Sequence, residues 1–315
     1  MIVVPIIAAL GIAIPKTSSR AITSPAGTAD AMEVLTNVNL TTAQMRKVME
    51  KESGFIAWGG AIKLSPADDI IIKVERALDI DSEGQMIASI LSKKMAAGST
   101  HCVIDIPVGP TAKVRTRDNA IQLSLHMKEV ADFIGLKTQI ILSDGRQPVG
   151  FGIGPALEAR DVLSVLQNNA NAPQDLRQRA ITVATEIVKM VWDVDEQHAH
   201  NLVENKLNSR EAFHKLISIC EAQGGFREPK PAKYSKIIEA EFAGIISEID
   251  NRKIAQVAKL SGAPDAPEAG VDFFVRLQQK IERGQPLFSI HANSPGELVY
   301  AFEYYQQNPQ TIKFQ

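Results

Sequence analysis

MIVVPIIAALGIAIPKTSSRAITSPAGTAD, residues 1–30, changes character halfway. The first fifteen residues carry no charge. The last fifteen hold three Ser, three Thr, one Lys, one Arg and one Asp. The apolar half is too short for a membrane span, which needs about 20 such residues. It also lacks the positive n-region of a secretory signal. It reads as a buried helix feeding a buried strand, with Gly11 between them. The polar half then lies straight after a strand, where α/β sheets bind ligands. Hydroxyls, a guanidinium and exposed backbone N–H groups are the set that holds a phosphate oxyanion. Gly27 has no side chain to keep backbone and ligand apart. A solvated Ser/Thr-rich turn would have the same composition, and the position after a buried strand weighs against it.

Working outward, LTTAQ supplies a capping box, with Thr41 as N-cap and Gln44 three residues on. That helix runs to Glu52, and FIAW (55–58) is a short strand. Ser65-Pro66 opens a helix to Leu78 with Asp68 and Asp69 at its positive end. Ser82 and Gln85 cap another, closed by Gly98. THCVIDIPVG (100–109) and KTQIILSD (137–144) read as strands around a helix over 117–134. Helices are expected over 156–167, 173–194 and 209–223. The alternation predicts an α/β layer with a largely parallel sheet. EPKPAKY (228–234) is a Pro- and Lys-rich linker. Beyond it, short strands around one helix and a terminal helix from Ser294 read as a small α+β domain.

The 315 residues are 45% apolar, enough for about two domains at roughly 150 residues each. Net charge is −2, from 34 basic and 36 acidic side chains, which excludes a general nucleic-acid or anionic-membrane binder. Two cysteines form no disulfide framework and no metal-type spacing, so a reducing cytoplasm is expected. Ser89 and Lys93, four apart, share a helix face and could read the polar edge of a base. Asp81 precedes that helix, where a carboxylic acid raised in pKa by burial could protonate a leaving group. GFGIGP (150–155) lacks the spacing and the later acidic residue of a dinucleotide fingerprint. His198 and His200 have no third ligand nearby and read as surface.

KTSSRAITSPAGTAD, SEGQMIASILSKKMAAGSTHCVIDIPVG and SEIDNRKIAQVAKLSGAP together resemble the thymidine phosphorylase/AMP phosphorylase family. They are most similar to the type 2 branch, shared by archaeal AMP phosphorylases and certain bacterial proteins assigned as thymidine phosphorylases. RGQPLFSIHANS resembles that family's C-terminal domain, so the likeness covers essentially the whole chain. It implies a nucleoside phosphorylase/phosphoribosyltransferase-type α/β core over 1–67 and 96–230. Part of a helical lobe would return over 68–95, and a hammerhead-like α+β domain would fill 231–315. The implied reaction is reversible phosphorolysis, in which phosphate attacks C1′ and the base leaves. Phosphate must be held below the sugar, and charge on the departing base neutralised.

By this resemblance Ser19, Arg20, Ala21, Ile22, Thr23, Ser24 and Thr28 contact sugar or phosphate, and Ser18 matches a phosphate-loop hydroxyl. Ser89 and Lys113 match substrate-binding positions of the AMP branch. Arg76 and Lys93, with Ser89, match a base-reading trio, although the Arg76–Ser89 interval is two residues shorter than in the pyrimidine enzymes. Asp81 matches the proton donor proposed for the AMP branch. The family implies no cofactor or metal, phosphate as co-substrate, a small-molecule nucleoside or nucleotide partner, and a homodimer of the full-length protein. It also carries a Gly-rich phosphate segment and a helical region ahead of the position of Met1. The chain alone is therefore expected to be a truncated fragment with little or no activity. Closure of lobe on core is expected, with residues 96–99 in the hinge.

Thymidine is the first expected substrate, and AMP, giving adenine and ribose 1,5-bisphosphate, the alternative. A phosphoribosyltransferase would need an acidic metal-binding segment near the ribose, which the sequence lacks. A non-catalytic nucleotide-binding module could keep the loop without needing Asp81.

Overall fold

The structure, a computed structural model, describes residues 1–62 and 83–315. The helix expected over 65–78, the capping role of Ser82, and both Arg76 and Asp81 lie outside the described residues.

The uncharged opening forms helix α1 (Val3–Ala9) and strand β1 (Ile14–Ser18), with Gly11 at φ 80° between them. Helix α1 has no side-chain cap and no charged end, so it depends on burial; Val4, Ile6, Ile7 and Ala8 are all sealed from solvent. Helices α2 (Thr28–Leu35) and α3 (Thr42–Glu52) follow, then strand β2 (Gly54–Trp58). Thr41 and Gln44 form the expected capping box of α3, and Ser53 ends it in the left-handed conformation. Strand β2 runs parallel to β1, with Ile14 opposite Gly54 and Ser18 opposite Trp58.

Helix α4 (Glu83–Ala96) precedes strand β3 (His101–Val108). Helix α5 (Arg117–Phe133) links β3 to strand β4 (Lys137–Asp144), again parallel, in register from His101 opposite Lys137. The sequence predicts one parallel layer. Among the described residues the strands instead make two parallel pairs, β1–β2 and β3–β4. Alternation of strands and helices reports that both faces of a strand are covered, but not which edges pair. Residues 13–17 and 100–103 line one shared cavity of about 790 Å³ between the pairs.

Strand β5 (Gly152–Ile153) leads into helices α6 (Pro155–Leu166), α7 (Gln174–Trp192), α8 (Glu196–Asn208) and α9 (Glu211–Gln223). These helices form one apolar core with α1 and α2. Helix α8 was not drawn as a separate element from sequence, yet Ala199, Val203 and Leu207 make a buried i, i+4, i+8 stripe and Asp195 caps it. Exposed His198 and half-buried His200 sit on its surface, as expected. Gln223 closes the free edge of β2 by accepting from Ile56 N and donating to Ile56 O at 3.0 Å each.

After the linker come β6 (Tyr234–Glu239), β7 (Gly244–Ile249), helix α10 (Asn251–Leu260), β8 (Gly270–Phe273), β9 (Lys280–Ile281), β10 (Pro286–Ala292), helix α11 (Pro295–Gln307) and a strand missed from sequence, β11 (Ile312–Phe314). They build two antiparallel sheets, β5-β8-β10-β6 and β11-β7-β9, around a separate core centred on Phe273 and Phe288. Strand β5 belongs to the GFGIGP segment, so the α/β part lends a strand to the C-terminal sheet.

Candidate active site

The loop leaving β1 is shaped by the helix that follows it. Asp30, at the third position of α2, is buried and turned back over the loop. Its Oδ2 accepts the backbone N–H of Ala21 at 2.6 Å and of Gly27 at 2.9 Å. Arg20 is held by the Asp30 and Glu33 carboxylates, with Nη2 donating to Glu33 Oε1 at 2.8 Å, and its guanidinium lies 5.0 Å from the Trp58 ring centre. Hydrogen bonding to Glu33 raises the Arg20 pKa, and the same bond is the main cause lowering that of Glu33. A Cβ at Gly27 would fall 2.5 Å from the carbonyl oxygen of Ser19, so only glycine lets the two ends of the loop touch.

This clasp leaves Ile22, Thr23 and Ser24 exposed at the tip, with Ser19 also exposed and Ser18 half-buried below. Ser24 Oγ donates to the Ala26 carbonyl at 2.8 Å, and Ser18 Oγ to that of Ser19 at 3.3 Å. Thr28 opens α2, whose first N–H groups and dipole favour an anion. The guanidinium of Arg20, expected to contact sugar or phosphate, is paired with the Asp30 and Glu33 carboxylates across the loop. The signal for this was Asp30 itself, acidic three residues after the Gly27 cap.

Lys93 and Ser89 lie on one face of α4, with Nζ and Oγ 3.4 Å apart. Lys93 reaches the 790 Å³ cavity, where Lys16, Thr17 and Lys94 also line the wall. Burial, with the neighbouring Lys94 charge, lowers the Lys16 pKa to about 8. Lys16 is the middle residue of β1, and sequence alone gives no sign of which cavity its ammonium reaches.

Thr28 lines a second cavity of about 340 Å³ with Glu158 and Asp161. Glu158 is pushed up to about 7, chiefly by burial and then by the charges of Asp161 and Asp30, against a 3.3 Å bond from Gly154 N. Sequence reading missed Glu158; in the first turn of α6 it looks like an ordinary dipole-compensating acid.

Lys113 is exposed, and lines a third cavity of about 490 Å³ at the carboxyl ends of β3 and β4 with Asp105, Asp144 and Arg179. Ser143 Oγ donates to Asp105 at 2.5 Å, and Arg179 donates to the Asp144 carbonyl at 3.0 Å. The structure does not bring the expected residues into one cavity: Lys93 lies with the foot of the loop, Thr28 at the start of α2, and Lys113 at the β3–β4 end, each lining a different cavity. Arg20 and Ala21 line a further hollow of about 400 Å³ with Asp30 and Glu33.

Comparison with known proteins adds an independent line. Residues 2–215 match the glycosyl transferase family, a/b domain, and residues 245–311 match the pyrimidine nucleoside phosphorylase C-terminal domain. A Hahella chejuensis (strain KCTC 2396) protein named "Putative thymidine phosphorylase" is 53% identical over 314 residues, covering 100% of this chain and 62% of that protein. One of the same name from Legionella pneumophila (strain Corby) is 55% identical over 301 residues, covering 96% and 58%. "Putative thymidine phosphorylase 1" of Acidovorax sp. (strain JS42) is 53% identical over 309 residues, covering 98% and 60%. The chain spans about three-fifths of the length of these relatives.

Proposed function

Because the chain belongs to the glycosyl transferase family with an a/b domain, we propose that the full-length protein is a thymidine phosphorylase-type pentosyltransferase. Phosphate attacks C1′ of thymidine, thymine leaves, and 2-deoxyribose 1-phosphate forms. The observation that carries this is the hydroxyl-bearing loop pinned by Asp30 at the N-terminus of α2, in a chain whose residues 245–311 match a pyrimidine nucleoside phosphorylase domain.

Ser18, Ser19, Thr23 and Ser24, with backbone at Ala21 and Ile22, hold phosphate and sugar. Thr28 and the start of α2 face the anion. Ser89 and Lys93, joined by Arg76, read the base, and Lys113 holds substrate at the β3–β4 end. Asp81 supplies the proton that makes the base a better leaving group. Arg20 acts through the shape of the loop. The reaction calls for phosphate as co-substrate and for no further cofactor.

We assign 1–67 and 96–230 to the phosphate-binding core, 68–95 to the helical lobe and 231–315 to the C-terminal domain. The full-length protein is proposed as a cytoplasmic homodimer. Among the described residues no helix is long and apolar enough to cross a membrane.

A substrate panel tests the proposal: thymidine, uridine, cytidine 5′-monophosphate and AMP, each with and without phosphate, on the full-length protein. Phosphate-dependent release of thymine is expected. Release of adenine from AMP without turnover of thymidine would replace this assignment with the nucleotide one.

A further inference from the structure

The first turn of α10 belongs to the C-terminal part of the chain, yet its side chains grip both loops that line the Lys113 cavity. Arg252 Nε donates to the Thr111 carbonyl at 3.1 Å, and Nη2 to that of Ala112 at 3.5 Å. Asn251 Nδ2 donates to the Gly145 carbonyl at 2.9 Å. Lys113 is the next residue after these gripped carbonyls, and all of Thr111, Ala112, Lys113, Gly145 and Asn251 line the 490 Å³ cavity.

The gripped loops are already tightly folded. Gly109 N donates to Val114 O at 3.1 Å, Ala112 N to Gly109 O at 3.0 Å, and Gly145 N to Val108 O at 2.8 Å. A Cβ at Gly109 would sit 2.6 Å from the Gly145 carbonyl, so the two loops meet backbone to backbone. Such turns consume N–H groups and point carbonyls outward, and a guanidinium fork is the natural donor to two adjacent carbonyls. Arg252 is itself fixed, because Asp250 caps α10 by accepting from Arg252 N and Lys253 N at 3.0 and 3.1 Å. Thr111 Oγ1 and Asn251 Oδ1 are both buried in the described structure without a hydrogen-bond partner. Buried polar atoms are normally paired, and these two have no partner among the described residues.

We propose that Arg252 and Asn251 are positioning residues for Lys113, so that the C-terminal domain sets the substrate-binding geometry of the core. This rests on the assignment of Lys113 to substrate binding above. Arg252 holds the Lys113 loop against the β4 end, and Asn251 fixes the facing loop.

Hydrogen–deuterium exchange on the whole chain reads the loop without requiring activity. Arg252→Ala is expected to speed exchange of the Ala112 amide about tenfold or more, with β4 amides unchanged and Arg252→Lys partly restoring protection. Unchanged exchange in a folded Arg252→Ala chain overturns the proposal. Thymidine and AMP titrations with inorganic phosphate, on the full-length protein, give the second arm. Lys113→Ala and Arg252→Ala should each weaken binding about tenfold, mainly in KM, and the double variant should be no weaker than Lys113→Ala alone. Losses that multiply, or an Arg252→Ala protein that binds like the parent, overturn the proposal. If Lys113→Ala itself binds like the parent, the substrate role of Lys113 falls and the proposal with it.

Discussion

The carboxylate of Asp30 accepts the backbone N–H of Ala21 at 2.6 Å, reaching nine positions back along the chain. The same oxygen takes the N–H of Gly27 at 2.9 Å, and the partner oxygen faces Arg20. One side chain therefore closes the loop, caps α2 and orients the guanidinium. Asp30→Asn keeps the size but replaces one acceptor oxygen with a donor aimed at Arg20. Bonds to charged groups are worth about 1.5–3 kcal/mol each, and partial rearrangement reduces the net. A loss of about 2 kcal/mol in stability is expected, with faster tryptic cleavage after Arg20. Thermal unfolding and timed proteolysis check this; a variant matching the parent in both would show that the clasp is not what holds the loop.

Much of this was legible beforehand. The uncharged opening, the Thr41–Gln44 box and the stop at Ser53 are local signals, and the structure follows them residue by residue. The hydroxyl loop could be placed after β1 because composition and strand position agree. The parts that were not legible depend on distant segments. Nothing near Gln223 announces that its amide will pair with Ile56, and nothing near Arg252 announces Thr111. The shifted pKa values of half-buried Lys16 and Glu158 likewise depend on neighbours far away in sequence, such as Lys94 for one and Asp30 for the other.

Glu158 makes stability depend on pH. Its carboxyl titrates near 4.5 in an unfolded chain and at about 7 in the fold. Between these values the folded chain holds the extra proton, so stability falls as pH rises through the window. Below pH 4.5 both states are protonated and the penalty vanishes. Glu158→Gln has no such proton. It should equal the parent near pH 4 and exceed it by about 2 kcal/mol above pH 7. Denaturant melts at pH 4, 6 and 8 measure the gap; a gap that stays constant with pH would place the carboxyl in water rather than in the wall beside Thr28.

Lys16 has the opposite pH behaviour. Its ammonium is lowered from 10.5 to about 8 by burial and by Lys94. From pH 8 to 10.5 the unfolded chain keeps a proton that the folded chain has released, so stability rises with pH across that range. Lys16→Met removes the buried charge. At pH 7 it should be more stable than the parent by about 1–2 kcal/mol, and the advantage should shrink toward pH 10.5. In the full-length protein the same change is expected to weaken nucleoside binding, since Lys16 lines one cavity with the base-reading Lys93. Equal stability at pH 7 and pH 10 would mean that the ammonium reaches solvent.

The boundary between the α/β part and the C-terminal sheet offers the last test. Arg160 on α6 makes a forked pair with Asp272 on β8, with Nη1 to Oδ2 at 2.8 Å, and His291 adds Nε2 to Oδ2 at 3.2 Å. Burial pushes the Asp272 carboxyl up, but Arg160 and His291 outweigh it and hold the group well below the usual carboxylate range. Its contribution is therefore present above the unfolded value of 3.8 and disappears as pH falls through the lower folded value. Arg160→Met strands a buried carboxylate. A fully buried pair broken this way loses about 3–5 kcal/mol. The Arg160 side chain is 44% exposed, so solvent screens part of the charge and about 2 kcal/mol is expected. Adding Asp272→Asn removes the stranded charge, so the double variant should recover part of the loss at pH 7. Melts of the two singles and the double form a cycle, and strictly additive losses would mean that Arg160 contributes packing rather than charge at this boundary.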